Sequence, residues 1–307
     1  MFLSVFDLFK IGIGPSSSHT MGPMSAANMF LDSLRERGET SIVRLRCTLH
    51  GSLAFTGKGH ATDRAVILGL TGCTPDTVDP DMADEIEREV RQNGRIAPPA
   101  LPEMTFDPGT NLIFDYGEPL PGHSNGMSFA ALDDTGAIIA SRIYYSIGGG
   151  FVVEASELEA AIPAEDVGAA KREEGFPYPF GSAEEMIRMS DESGLSLVEM
   201  KRANEGVSRA PEELDAGLDA IWDAMRGCME RGLRMDGQLP GGLFVKRRAK
   251  AIREALIAEH GTNAPDPYAI NEWLSVYAMA VNEENAAGGR VVTAPTNGAA
   301  GVVPAVI

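Results

Sequence analysis

Apolar and polar positions alternate with a period of two from Val43 to His50. Val43, Leu45, Cys47 and Leu49 fall on one side, and Arg44, Arg46, Thr48 and His50 on the other. That spacing predicts a strand with one buried face. Between Met21 and Leu34 the period lengthens: Met21, Met24, Ala27, Phe30, Leu31 and Leu34 form a helical stripe, with Pro23 in its first turn. A second helix is expected over Ala61–Leu70, capped at Thr62 or just before it and stopped by Gly72. A charged third helix is expected over Asp81–Arg91, after Pro80. Asn111–Phe114, Gly126–Leu132 and Ala137–Ser146 read as strands, the last two joined by a turn at Asp134-Thr-Gly136.

The pattern then changes. Residues 156–182 carry Pro163, Pro177 and Pro179 among Glu and Gly, which suggests a linker or an irregular connection. From Ser182 onward only helical periodicity is read: Pro211 to about Gly232, Phe244–His260 and Asp266–Asn285. The expected architecture is an α+β domain over residues 1–155, a linker over 156–182 and an all-α catalytic domain over 183–307. Val302-Val-Pro-Ala-Val-Ile307 is apolar and uncharged, without the polar cap that ends most domains, so the helical domain is expected to be incomplete at its C-terminus.

Composition narrows the function classes. With 44% hydrophobic and 23% charged residues, the chain is of ordinary globular type and not disordered as a whole. The apolar runs, Ala294–Ile307 among them, are broken by Pro, Asn and Gly and fall short of the ~18–20 residues a spanning helix needs. No membrane association is expected. Met1–Lys10 lacks a basic segment before its apolar part, so it does not read as a secretory signal. Lys and Arg total 26 against 44 Asp and Glu, a net charge of −18, which argues against nucleic acid as a partner. The basic stretch Val245–Lys250 reads as a solvated helix face. Three widely spaced cysteines, Cys47, Cys73 and Cys228, form neither a C-x-x-C pair nor a disulfide framework, and a reducing cytoplasm is the expected compartment. No metal ligands are assigned among these residues.

Several polar stretches could carry chemistry. Ser16-Ser17-Ser18-His19-Thr20 opens a helix, where unpaired N–H groups favour an anion such as a carboxylate. Gly57-Lys58-Gly59-His60-Ala61-Thr62-Asp63 lies at a strand-to-helix turn. It is not a P-loop, because Gly51 and Gly57 are one residue too far apart and Gly59 stands where Ser or Thr is required. His60 there is expected to be a neutral imidazole able to take a proton. His123-Ser124-Asn125 offers a donor–acceptor trio, while His50 and His260 read as structural or exposed. Ser146-Ile-Gly-Gly-Gly150 allows close backbone approach. Polar residues at 282–290 and 293–298 flank short apolar stretches and read as a site wall. None of the six lysines sits in a setting suited to a pyridoxal Schiff base.

Five stretches together resemble the bacterial iron–sulfur L-serine dehydratases, and the likeness covers essentially the whole chain. They are SVFDLFKIGIGPSSSHTMGP from Ser4, GKGHATD from Gly57, YYSIGGG from Tyr144, LPGGLFVKRRA from Leu239 and AVNEENAAGGRVVTAPTNG from Ala280. The resemblance implies an α+β domain on a helical catalytic domain. It implies conversion of L-serine to pyruvate and ammonia, with a 4Fe-4S cluster acting as Lewis acid and a base removing the Cα proton. The family's cluster cysteines lie beyond the Thr-Asn-Gly motif, and Cys47, Cys73 and Cys228 do not match them, so this stretch alone is expected to be inactive. Carried over by motif, His60 is the expected base, oriented by Thr62 and Asp63, with His19 and His123 as its alternatives. Ser16, Ser17, Ser18, His19 and Thr20 would line the serine site. His123, Ser124, Asn125 and Tyr145 would hold the carboxylate or amine, and Asn285, Thr293, Thr296 and Asn297 would close the site. A homodimer is the expected assembly. A non-catalytic amino-acid sensor and a dehydratase for another hydroxy amino acid are the competing readings.

Overall fold

The computed structural model describes residues 3–158, 175–259 and 269–307. In chain order the strands are β1 (Lys10–Ile13), β2 (Arg44–His50), β3 (Arg95–Ile96), β4 (Met104–Thr105), β5 (Leu112–Asp115), β6 (Gly126–Leu132), β7 (Ile138–Gly148), β8 (Phe151–Glu154) and β9 (Arg290–Thr293). The main helices are α1 (Gly22–Glu36), α2 (Thr62–Leu70), α3 (Pro80–Asn93), α4 (Ala183–Ser193), α5 (Leu197–Glu205), α6 (Pro211–Gly232), α7 (Ala249–Glu259) and α8 (Ala269–Ala286). The chain is thus a mixed α/β region followed by a helical one. No described helix is long and apolar enough to cross a membrane.

The first region is built on a seven-stranded sheet of order β3-β4-β2-β6-β7-β8, with β5 also on β2. The alternation over 43–50 works as its period requires: Leu45, Cys47 and Leu49 are buried, and β2 pairs antiparallel with β6 from Arg44↔Leu132 to Leu49↔Met127. Helices α1 and α2 cover the sheet. They approach closely at Gly69, where a Cβ would lie 2.5 Å from the Met24 carbonyl oxygen. Phe30 of α1 stacks on Phe129 of β6 at 5.5 Å between ring centroids. Local signals set the helix ends. The Asp79 carboxylate accepts from the Asp81 amide at 3.0 Å, and Gly94 ends α3 at φ +64°. Ser196 and Glu199 form a reciprocal capping box on α5.

Two sequence expectations need correction. The region after Ser182 is not purely helical: β9 pairs antiparallel with β1, from Lys10↔Thr293 to Ile13↔Arg290. Four residues with two adjacent valines carry no strand signal by themselves; only the distant partner makes them one. The helix expected from Phe244 begins at Ala249, because residues 237–247 fold back as a hairpin with Leu239 N–H donating to the Val245 carbonyl at 2.8 Å. His260 and the start of the helix expected from Asp266 lie outside the described residues, as does much of the expected linker. Finally, the N-terminal residues lean on the helical region. Buried Glu205 of α5 accepts from Ser4 Oγ and from the Val5 amide, both at 2.7 Å, and pairs with Lys201 and Arg209.

Candidate active site

The β1–β9 pair brings the polar motifs of both regions together. At the end of β1 the chain is gripped by the helical region: the Gly14 amide donates to the Gly289 carbonyl at 3.0 Å. Asn285 Nδ2 donates to the Pro15 carbonyl at 3.0 Å, and Asn297 Nδ2 donates to Asn285 Oδ1 at 3.0 Å and to the Ile13 carbonyl at 3.3 Å. Gly14 cannot carry a side chain, since a Cβ there would sit 1.9 Å from the Asn285 carbonyl oxygen.

Residues 17–21 then form a single wide helical turn ahead of α1. Ser16 caps it, its Oγ accepting from the His19 amide at 3.2 Å, while the Ser16 amide donates to Thr20 Oγ1 at 3.2 Å. Two hydroxyls lace this turn to the 57–62 segment: Thr20 Oγ1 donates to the His60 carbonyl at 2.8 Å, and Thr62 Oγ1 donates to the His19 carbonyl at 2.6 Å. The His19 and His60 rings consequently lie 4.8 Å apart. His19 is bracketed by Ser18 Oγ on Nδ1 at 2.9 Å and Ser52 Oγ on Nε2 at 3.1 Å. Burial first, and the neighbouring His60 second, hold its pKa below the usual imidazole value.

His60 Nδ1 lies 3.0 Å from the Thr56 carbonyl. A carbonyl can only accept, so Nδ1 carries the proton in the neutral ring and Nε2 keeps its lone pair. Nε2 has no hydrogen-bond partner among the described residues. His60 lines a pocket of about 480 Å³ together with Pro15, Thr20, Lys58, Arg64, Asn285, Gly288 and Gly241. The arrangement offers one oriented proton acceptor, the Lys58 ammonium and a wall of hydroxyl and amide groups, while Arg64 is paired with Asp84 at 2.6 Å.

The other expected site residues are distributed unevenly. Ser17 is buried in the turn, and Ser18 reaches the site through His19. Thr293 and Asn297 are buried, and Thr293 Oγ1 and Asn297 Oδ1 have no hydrogen-bond partner among the described residues, whereas Thr296 is exposed. Asp63 does not orient His60: its carboxylate pairs with Arg91 of α3 at 2.8 Å. Thr62 acts on the His19 carbonyl instead of on the His60 ring. His123, Asn125 and Tyr145 bond one another's turn. The Asn125 amide donates to His123 Nδ1 at 3.1 Å, Asn125 Nδ2 to the Ser146 carbonyl at 3.0 Å, and the Tyr145 hydroxyl to the Pro121 carbonyl. Their link to the site is one step removed, through the Ser124 carbonyl, which accepts from the Ser52 amide at 2.8 Å.

Ser52, Thr56 and Arg64 belong to this constellation and were not singled out from sequence. Their nearness in sequence to His60 was the available signal. In the Ser146–Gly150 stretch, the Ser146 hydroxyl is buried without a hydrogen-bond partner among the described residues and lies where a Cβ on Gly22 would be 2.1 Å away, so Gly22 is what lets β7 approach the turn.

The cysteines do not suit an iron–sulfur cluster. Cys47 is in the sheet core, Cys73 packs beside Val78 and Ile86, and Cys228 lies under β9. Burial pushes the Cys47 thiol far up and the Cys228 thiol up to about 12, and the three cysteines lie in three separate packing clusters, so they do not converge as the thiolate ligands of one cluster must. Among the described residues no three His, Cys, Asp or Glu side chains could hold a metal ion.

Comparison with known proteins places the two regions in one family. The serine dehydratase beta chain matches residues 4–157 and the serine dehydratase alpha chain matches residues 183–307. An L-serine dehydratase of Streptomyces coelicolor is 47% identical over 309 residues, covering 100% of this chain and 66% of that protein. L-serine dehydratase 2 of Escherichia coli is 44% identical, covering 99% of this chain and 65% of that protein. An L-serine dehydratase of Haemophilus influenzae is 42% identical over 99% of this chain and 65% of its own length. The chain therefore spans just under two thirds of the length of these relatives.

Proposed function

Because the chain belongs to the serine dehydratase family, with the beta-chain and alpha-chain segments in one polypeptide, we propose that it works as an L-serine ammonia-lyase, converting L-serine to pyruvate and ammonia. The observation that carries this reading is His60: its Nδ1 is fixed on the Thr56 carbonyl and its Nε2 is left to accept a proton in a pocket walled by Asn285 and the Thr20 hydroxyl. In the proposed reaction Nε2 takes the Cα proton of L-serine and hydroxide leaves Cβ. The resulting aminoacrylate tautomerises to an imine, which water hydrolyses to pyruvate and ammonia. Lys58 supplies positive charge at the pocket for the substrate carboxylate, Arg64 being paired with Asp84 and Glu87, and the turn from Ser16 to Thr20 supplies its hydroxyls. The three-cysteine set lacks disulfide pairing, which supports a reducing cytoplasmic setting.

Departure of hydroxide calls for an acid, and the 4Fe-4S cluster of the resembling family would supply a Lewis acid for it. Cys47, Cys73 and Cys228 do not fit that cluster. The same mismatch favours a second reading for residues 1–307 on their own: L-serine binding without turnover.

The test is His60→Ala, assayed for pyruvate formation and, separately, for solvent exchange of the Cα hydrogen. Loss of a general base should lower turnover by ~10²–10⁴-fold. Retention of near-parental turnover by His60→Ala would move the base to His19. L-serine affinity without pyruvate from the parent protein would favour the binding reading, and turnover of threonine over serine would reassign the substrate.

A further inference from the structure

Glu284 sits next to Asn285 on α8, and its carboxylate is 1% exposed between two arginines. Arg247, whose side chain is 6% exposed, pairs with it from one side, and Arg231 Nε approaches to 3.2 Å from the other. Arg231 continues to Asp81 at the start of α3, 2.8 Å away, so the chain of charges runs from the α/β region to the hairpin over 237–247. Glu283, one position earlier, accepts from the Arg248 and Ala249 amides at 2.7 and 3.3 Å. The hairpin is therefore fastened at its base. The Arg247 amide donates to the Gly237 carbonyl at 2.9 Å, and Pro240 and Gly241 reach the pocket rim opposite Lys58 and His60. Its tip is otherwise bare: Leu243 is 88% and Phe244 71% exposed.

A buried ion pair is an inefficient source of stability, because stripping water from both charges offsets most of their attraction. Its return is a fixed geometry. Here that geometry reaches the site by short steps. A Cβ on Gly289 would lie 2.7 Å from Glu284 Oε2, so the carboxylate seats directly against this glycine. The Gly289 carbonyl holds the Gly14 amide at 3.0 Å, one residue before the Pro15–Thr20 turn.

We propose that Arg247 and Glu284 are positioning residues. They seat hairpin 237–247 as a wall of the His60 pocket and couple that wall to Asn285 and to the turn over 14–20. The coupling to catalysis rests on the function proposed above; the coupling of the two segments does not.

The test compares Glu284→Gln with the double variant Arg247→Met/Glu284→Met. The single variant leaves a buried guanidinium short of its partner and should lower stability markedly. The double variant removes both charges, keeps Arg231 on Asp81, and should melt near the parent. Amide hydrogen exchange in the double variant is the deciding measurement. Tenfold or faster exchange at both 238–246 and 14–20 is expected, together with a KM for L-serine raised fivefold or more and a smaller change in kcat. Exchange at parental rates, or acceleration confined to 238–246, overturns the proposal. A parent without L-serine turnover sinks the function reading alone, since exchange still decides the coupling.

Discussion

Around Phe30, Phe129 and Tyr144 the sheet and its covering helices bury almost nothing but apolar side chains, in one continuous cluster from Ala26 to Tyr144. Around β1 and β9 the burial is as deep, but the buried groups include Ser17, Thr20, Glu283, Glu284, Asn285, Thr293 and Asn297. The difference is one of purpose. Apolar burial is non-directional and tolerant of small shifts, so it stabilises a scaffold. Buried polar groups cost stability unless each meets its partner, so they survive where a particular geometry is wanted. Three of them in or beside the seam, Ser146 Oγ, Thr293 Oγ1 and Asn297 Oδ1, have no hydrogen-bond partner among the described residues.

The largest expected effect on stability sharpens this contrast. Phe129→Ala removes a ring stacked on Phe30 and edge-on to Tyr144 at 6.0 Å, and should lower unfolding free energy by ~3–5 kcal/mol in a denaturant titration. Below its transition it should bind L-serine as the parent does. Asn297→Ala, in the seam, should have the opposite profile. It frees the Ile13 carbonyl and Asn285 Oδ1 at a cost of ~1–3 kcal/mol, and it should weaken L-serine binding measurably in calorimetry. If Asn297→Ala destabilised like the core variant and left binding alone, the seam would be ordinary scaffold. The smallest effect concerns pH. His19 has a folded pKa below its unfolded value of about 6.5, so below that pH the unfolded chain binds the proton more readily than the folded one. Its contribution is therefore intact above pH ~6.5 and lost as pH falls through the folded value. Thermal melts at descending pH should show this decline, and His19→Gln should flatten it.

Much of the scaffold was legible in order along the chain. The alternation of 43–50 required a one-sided strand, and Asp79-Pro80 and Gly94 bounded α3 by local chemistry. Candidate site residues stood out as dense polar motifs at helix starts, although several of their hydroxyls, those of Ser16, Thr20 and Thr62, serve to cap the turn and tie backbone to backbone. Roles within the motifs were less legible. Asp63 stands three residues after His60 and suggested an orienting partner, yet Arg91, 28 residues away, takes its carboxylate. Ser52, whose hydroxyl meets His19, and Thr56, whose backbone carbonyl meets His60, look in sequence like ordinary helix residues.

By itself the sequence determined the secondary elements with strong periodicity, the division into an α/β region and a helical one, and the set of motifs from which a site could be made. These follow from interactions within a few residues: caps, turn glycines and the match of apolar period to helix or strand. Tertiary structure alone decided that β9 is a strand, that residues 237–247 form a hairpin, and which hydroxyl meets which imidazole. The decisive partners are far away in the chain, Lys10–Ile13 for β9, Glu284 for Arg247 and Ser52 for His19. A hydrogen bond or ion pair that is satisfied only across such a distance leaves no periodic mark on the residues that make it.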